Sequence, residues 1–356
     1  VISHLPDEYR EAPESELIER IHKVKKRLGS ELVILAHHYQ RQQIVDLGDF
    51  RGDSYKLCVV AADQTEARYI VFCGVEFMAE SAAILARENQ TVFHPDFDAG
   101  CPMADMADLE SVERVWADLS GITDISRIIP VTYMNSGGDI KAFCGARSGC
   151  VVTSSNAPAG FRWAFERGDK VLFFPDEHLG TNSAYKLGIP PEEIVVWDHA
   201  GELGGATPER IQKARVIIWK GYCHVHTWFT TEHVRKVREE HPDALVVVHP
   251  ECPREVVEIS DADGSTEFII KYAREAPAGA HIAVGTEFNL VARLAETHKD
   301  RNVFELSHSL CPNMHKINLN NLCYTLENLP EVNRVEVDTS LRQDARKALQ
   351  RMLEIK

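Results

Sequence analysis

Four short signatures recur three times along the chain in the same order, and that recurrence limits the fold more than any single segment does. A run ending in His37-His38-Tyr39 is followed by Gly52-Asp53-Ser54, then Phe72-Cys73-Gly74, then Gly100-Cys101-Pro102. A run ending in Tyr133-Met134-Asn135 is followed by Thr153-Ser154-Ser155, Phe174-Pro175-Asp176 and Tyr222-Cys223-His224. A run ending in His249-Pro250-Glu251 is followed by Gly264-Ser265-Thr266, Val284-Gly285-Thr286 and Leu310-Cys311-Pro312. The first step spans 17 residues (His37 to Ser54), 19 (Asn135 to Ser154) and 17 (His249 to Thr266), and the second spans 18, 20 and 18. Only the last step, to cysteine, varies (29, 49 and 27), the middle copy carrying extra sequence around Gly188–Gly205.

The apolar runs that end in these signatures are short and β-branched: Val33–Ala36, Tyr69–Phe72, Ile128–Val131, Val171–Phe174, Val216–Trp219, Leu245–Val248 and His281–Val284. They alternate with amphipathic, helix-like stretches, the pattern of parallel α/β units. Any α/β chain would show such runs, but not a hydroxyl residue and then a cysteine at matched places. The chain therefore reads as three similar Rossmann-like αβα units with parallel sheets, related by a pseudo-threefold axis. Approximate divisions fall at residues 1–105, 106–228 and 229–356, the first with an N-terminal helix and the last with a C-terminal one. In parallel sheets the carboxyl ends of strands hold the ligand, so the polar strand-end residues are where chemistry is expected.

Composition narrows the class. With 44% hydrophobic and 26% charged residues, the 356-residue chain is of ordinary globular make-up. No apolar run is long enough to span a bilayer. A net charge of −15 argues against a nucleic-acid partner, which needs a basic footprint. The stretch from Val1 to Glu11 is acidic and proline-containing and lacks the apolar segment of an export signal, so a cytoplasmic enzyme is expected. The nine cysteines are odd in number and scattered, which disfavours a disulfide framework. With no CxxC or CxxxxC zinc-ribbon pair, a metal site must draw single ligands from distant places.

Three units about a pseudo-threefold axis would bring Cys101, Cys223 and Cys311 to one point. Three thiolates leave a cubane iron–sulfur cluster one ligand short, so one iron stays open to act as a Lewis acid; a zinc ion held by three thiolates is also compatible. His37, Tyr39, Tyr133, Asn135, His249 and Glu251 would ring the same axis. Ser54, Ser154 and Thr266 each precede a helix-like stretch, where a hydroxyl serves either as a helix cap or, with free amides, as an anion site. Glu251 is the candidate general base, and His249 can donate a hydrogen bond or carry a proton. Asp176, His178 and Asn182 could close the middle unit's site or cap a helix. Lys141 and Lys220 are phosphate counter-charges or solvated surface lysines. Cys58, Cys73 and Cys323 read as packing residues, Cys252 lies near the site, and Cys144 and Cys150 could pair or sit exposed.

Taken together, LAHHYQ (Leu35–Gln40), GDS (Gly52–Ser54), FCGVEFMAE (Phe72–Glu80), GCPMAD (Gly100–Asp105), YMNS (Tyr133–Ser136), TSSNA (Thr153–Ala157), PDEHLG (Pro175–Gly180), GYCHVH (Gly221–His226), HPE (His249–Glu251), GST (Gly264–Thr266) and CPNM (Cys311–Met314) resemble the quinolinate synthase family over roughly residues 30–350. The resemblance implies a 4Fe–4S cluster on Cys101, Cys223 and Cys311. It implies a substrate shell of His37, Ser54, Tyr133, Asn135, Ser154, His249, Glu251 and Thr266, with Tyr39, His249 and Glu251 moving protons. The implied reaction is condensation of iminosuccinate with dihydroxyacetone phosphate to quinolinate, phosphate and water, in de novo NAD biosynthesis. The implied partners are those small molecules and an L-aspartate-oxidising enzyme that supplies iminosuccinate.

Two departures stand out. FCGARSGC (Phe143–Cys150) looks longer than the family's loops there, and Leu306–Cys311 lacks the CxxC that some members place before the last ligand. The rival readings are an iron–sulfur hydro-lyase acting on a single hydroxy-dicarboxylate and a non-catalytic iron–sulfur sensor. Phosphate release discriminates against the first, and the sensor would need a partner surface or a basic module.

Overall fold

The structure is a computed structural model that describes residues 5–355, so the leading residues of the Val1–Glu11 stretch lie outside it. Three sheets form in chain order, and all their strand pairs are parallel. The first has β1 (Leu32–His37), β2 (Phe50–Gly52), β3 (Tyr69–Cys73) and β4 (Thr91–Phe93) in the order β2-β1-β3-β4. The second has β5 (Ile128–Tyr133), β6 (Cys150–Val152), β7 (Lys170–Phe174), β8 (Ile194–Trp197) and β9 (Val216–Trp219) in the order β6-β5-β7-β9-β8. The third has β10 (Leu245–Val248), β11 (Ala262–Asp263), β12 (His281–Gly285) and β13 (Asn302–Glu305) in the order β11-β10-β12-β13. The three orders are one order, except that β8 adds an edge strand to the middle sheet. The extra sequence near Gly188–Gly205 builds that strand and the turn after it.

All seven apolar runs are strands, each buried on both faces as a parallel sheet sandwiched by helices requires. The strands the runs do not mark, β2, β4, β6, β8, β11 and β13, have two to four residues each.

By internal contacts the chain forms two compact units. One comprises the residues up to Cys101 with Leu310–Asp338, and the other Pro102–Ser309 with Thr339–Lys356. In the first unit the helix Glu14–Leu28 packs its apolar stripe of Leu17, Ile21 and Val24 against Leu319, Leu322 and Leu326 of the helix Leu319–Glu327. Arg20 forks onto the Glu327 carboxylate there and lies over the Tyr9 ring. His94 is fully buried, with Nε2 donating to the Gly74 carbonyl (3.0 Å). In the second unit the helices of the second and third sheets meet. Asn182 bonds Pro250 and Cys252, Lys186 pairs with Asp263, and Arg254 lies over the Tyr185 ring. The C-terminal helix Thr339–Glu354 does not stay with the third sheet; it packs on the helix Gly138–Ala146 and on β6. Among the described residues no helix is long and apolar enough to cross a membrane.

That helix pair is close enough to reverse an ordinary rule. Ala usually stabilises a helix interior relative to Gly, but a Cβ at Gly145 would lie 1.8 Å from the Asp344 carbonyl oxygen. Gly145→Ala is expected to destabilise by about 1–3 kcal/mol, as overpacking does, read by denaturant unfolding; a stabilised variant would show the helices free to part. His94 supplies a pH-dependent contribution. Burial lowers its pKa to about 4, so the unfolded chain takes up a proton near pH 6.5 that the folded chain refuses. The contribution is full above about pH 6.5 and is lost as pH falls towards about 4, up to ~3 kcal/mol. Unfolding free energies of His94→Asn should fall less across that window than those of the parent chain.

Candidate active site

The carboxyl ends of β5, β10 and β12 converge on one buried carboxylate. Glu251, in the turn after β10, is 2% exposed, and both its oxygens are engaged. Tyr133, the last residue of β5, donates its hydroxyl to Oε1. His226, on the short helix His224–Thr227, lies with Nδ1 2.8 Å from Oε2, and its Nε2 is 3.2 Å from the Thr286 hydroxyl just past β12. The carboxylate can only accept, so Nδ1 of His226 carries a proton, and in the neutral ring Nε2 accepts from Thr286. The chain of donors thus runs Thr286 to His226 to Glu251, with Tyr133 entering from the other side. Burial alone would raise the Glu251 pKa; the His226 and His249 rings and the bonds from His226 and Tyr133 overcome it and hold the carboxylate well below its usual range.

His249 stacks on His226 (centroids 4.2 Å apart), and its Nδ1 accepts from the Glu251 amide (3.4 Å). Burial and then the neighbouring His226 lower its pKa to about 3, so it is neutral, with Nε2–H as its donor. The first unit repeats this arrangement: Nδ1 of His37 accepts from the Tyr39 amide (3.1 Å), and the two rings meet edge to face. The same backbone turn therefore fixes the same tautomer in both histidines.

The hydroxyl residues are not the caps. Asp53 caps the helix Ser54–Asp63 and Ser265 caps Thr266–Glu275, so Ser54 and Thr266 each stand one residue inside. Ser154 lies before the helix Ala157–Phe165, whose cap Asn156 makes no side-chain capping bond. Ser154 and the Gly264-Ser265 turn line one cavity of about 150 Å³, with Asn182 and Lys186 in its wall. Asn135 is half-buried, and among the described residues its Oδ1 has no hydrogen-bond partner. Asn182, fully buried, donates to the Pro250 and Cys252 carbonyls (2.8 and 3.0 Å) and so clamps the turn that carries Glu251. Asp176 caps its helix through the Leu179 amide and bridges to Gly221, two residues before Cys223. One expectation about the lysines needs correction. Lys141 is neither a surface lysine nor a phosphate counter-charge, because it is fully buried and donates to the Ser136 carbonyl, bracing the turn after Tyr133. Lys220 is the surface lysine that the other reading expected, exposed and paired with Asp198 (2.7 Å).

Residues 19–354 match the sequence profile of the family described as Quinolinate synthetase A protein. A quinolinate synthase of Rhodopirellula baltica is 48% identical over 98% of this chain and 93% of its own length. One of Corynebacterium glutamicum is 46% identical (99% and 90%), and one of Herpetosiphon aurantiacus 49% (96% and 92%). The chain belongs to the quinolinate synthetase A family.

The cysteines themselves test whether a metal centre on three of them fits. Six of the nine thiols are buried, and the three that are not are Cys101, Cys223 and Cys311. Burial drives Cys73, Cys150 and Cys323 up to about 12, and Cys144 and Cys252 well above the ordinary thiol value. Such thiols make poor ligands. It also corrects the expectation that Cys144 and Cys150 sit exposed. Cys223 Sγ and ligand atoms of His226 and Glu251 lie within 4.8 Å of one another. His226 and Glu251 have all four polar atoms engaged by Tyr133, Thr286 and each other, which leaves the sulfur as the available ligand. Each unit also ties ligand flanks together. In the second unit Met106 accepts from the Trp219 indole (2.8 Å), and Ser309 donates to the Val225 carbonyl (2.7 Å). In the first, Asn321 donates to Asp96 (3.2 Å) and Lys316 to the Asp98 carbonyl.

His226 and Thr286 are the residues that sequence reasoning passed over. The Cys223-x-x-His226 spacing was a usable signal, since it sets both on one helical face, and Thr286 stands at the same repeat position as Asp176. Asn182→Ala is expected to leave two buried carbonyls unpaired, costing about 1–3 kcal/mol each. It should lower turnover as the Glu251 turn loosens; unchanged stability and rate would show the clamp to be idle.

Proposed function

We propose that the chain condenses iminosuccinate with dihydroxyacetone phosphate to form quinolinate, phosphate and water, with a 4Fe–4S cluster held by Cys101, Cys223 and Cys311. The observation that carries the reading is the buried Glu251 carboxylate, braced by Tyr133 and His226 beside the Cys223 sulfur. When bound, the cluster supplies one iron without a protein ligand, a Lewis acid for a substrate oxygen.

The chain's own residues do the rest. His37 and His249, each fixed as an Nε2–H donor by the turn at its Nδ1, suit the carboxylate and carbonyl oxygens of a dicarboxylic imine. Ser54, Ser154 and Thr266, at or near helix starts, suit anionic groups, including a phosphate before it leaves. Asn135 brings an amide oxygen that has no partner among the described residues, suited to a substrate N–H or O–H.

Glu251 is the proton acceptor. Its low pKa keeps it ionised and so able to accept, and its basicity rises when Tyr133 or His226 releases it. The proton it takes from carbon is returned to a leaving oxygen, with the Tyr133 hydroxyl shifting its hydrogen bond as the charge on Glu251 rises and falls. Thr286 and His226 hold the carboxylate's orientation through the cycle. Tyr39 is a second proton carrier, on the turn that fixes His37. Iminosuccinate would come from an enzyme that oxidises L-aspartate, in the supply of NAD.

Glu251→Gln should retain the cluster's visible absorption and lose quinolinate formation by several orders of magnitude; normal turnover would remove its role. Cys→Ser at 101, 223 or 311 should lower bound iron and acid-labile sulfide, whereas Cys144→Ser and Cys323→Ser should not. Zinc in place of iron and sulfide would overturn the cluster assignment. Turnover of a single hydroxyacid without phosphate release would favour a hydro-lyase instead.

A further inference from the structure

A second cavity, of about 670 Å³, opens where Ser126, Arg147 and Arg167 lead into β5, β6 and β7. These are the amino ends of the strands, opposite the ends that carry Tyr133 and Asn135. Arg147, Arg167 and Arg351 line it together with Trp116 and Trp163, and no carboxylate is among its lining residues. Its volume lies within the roughly 300–1,000 Å³ of small-molecule sites.

Three guanidiniums in a surface cleft are often merely solvated; here each is fixed. Arg147 lies 3.8 Å from the Phe143 ring centroid and 5.4 Å from that of Trp116, and Arg167 lies 4.1 Å from Trp163. Arg351 donates through Nη1 to the Gly149 and Gly145 carbonyls (2.6 and 3.4 Å). Arg147 and Arg167 likewise use Nη1, towards Phe143 and towards Trp163 and Glu166. Among the described residues no hydrogen bond engages the Nε–Nη2 edge of any of the three, and that edge is the fork that grips phosphate oxygens in pairs. Nearby acids are few: Glu166 pairs loosely with Arg167 at an exposed position, and Asp169 is taken by Arg127. In a chain of net charge −15 the cleft is a local reversal of sign, which draws an anion to it. Trp116 and Trp163 are only half-buried, leaving indole surface for a planar ring.

We propose that this cleft binds a phosphate ester bearing a planar aromatic ring, that is, a nucleotide, with the phosphates on the arginine edges and the base against an indole. The test is calorimetric titration of the cluster-loaded protein with ADP, with adenosine and with inorganic phosphate, repeated on Arg167→Ala and Trp163→Ala. Neither residue belongs to the catalytic site, so both variants should form quinolinate at the parent rate. ADP should saturate one site, adenosine and phosphate should each bind more weakly than ADP, and either variant should weaken ADP by about tenfold or more. The proposal is overturned if ADP shows no saturation in the millimolar range, or if both variants bind it as the parent does, which would place the nucleotide elsewhere. Phosphate binding as tightly as ADP would also overturn it, because the ring would then contribute nothing.

Discussion

A carboxylate removed from water is tolerated only when its charge is answered, and the second unit is organised around answering Glu251. Deprived of Tyr133 and His226, that group would take up a proton, since burial alone pushes its pKa upward. Each partner comes from a different element: the end of β5, the helix after Cys223 and, through His226, the end of β12. Displacing any one strand end would unpair a buried charge, so register in two sheets and the placement of one cysteine loop are held by the same few bonds. Asn182 reaches from the second sheet's helices to clamp the Glu251 turn, and Asp176 bridges to the loop before Cys223. A site of this kind stays ordered because its disorder would be costly.

The threefold recurrence made most of the fold legible. Each central strand carries a largely apolar run, because a parallel strand is covered on both faces, and each run is a strand in the structure. The edge strands were hidden for the converse reason: β11 has two residues and β4 three, too short for any periodicity to register. The site was legible at the strand ends, where Tyr133, His249 and Glu251 do meet. What stayed hidden depends on depth. Lys141 reads as a surface lysine in any sequence pattern, and nothing local says that the C-terminal helix will cover its neighbourhood. Likewise, no sequence feature announces that His226 will stack on His249.

The repeats are alike in backbone and unlike in side chain, and the difference has a physical use. A shared turn gives His37 and His249 the same tautomer, since in each case Nδ1 accepts an amide two residues on. The residue supplying that amide is Tyr39 in one copy and Glu251 in the other, so identical geometry presents a phenol in one unit and a carboxylate in the other. The helix starts diverge too, capped by Asp53 and Ser265 in two copies and by an Asn156 without a capping bond in the third. Three equal half-sites would suit a symmetric ligand. The two substrates proposed above, a dicarboxylic imine and a triose phosphate, share no symmetry, and divergence at fixed backbone positions would let one scaffold meet both.

The cysteines divide along the same line between packing and chemistry. Thiol reactivity depends on the thiolate, and burial among apolar groups suppresses it. Six of the nine sulfurs sit in cores, where burial pushes three to a pKa of about 12 and two more well above the ordinary thiol value, and a metal would not reach them without opening the cores that hold them. The other three stand beyond the carboxyl ends of β4, β9 and β13, partly open, each in a loop rather than in a strand. A chain carrying nine thiols risks binding metal in the wrong place. Hiding six of them in hydrophobic cores leaves the remaining three as the accessible sulfurs, so under the proposed cluster assignment the cores that stabilise the fold would also make the metal site selective.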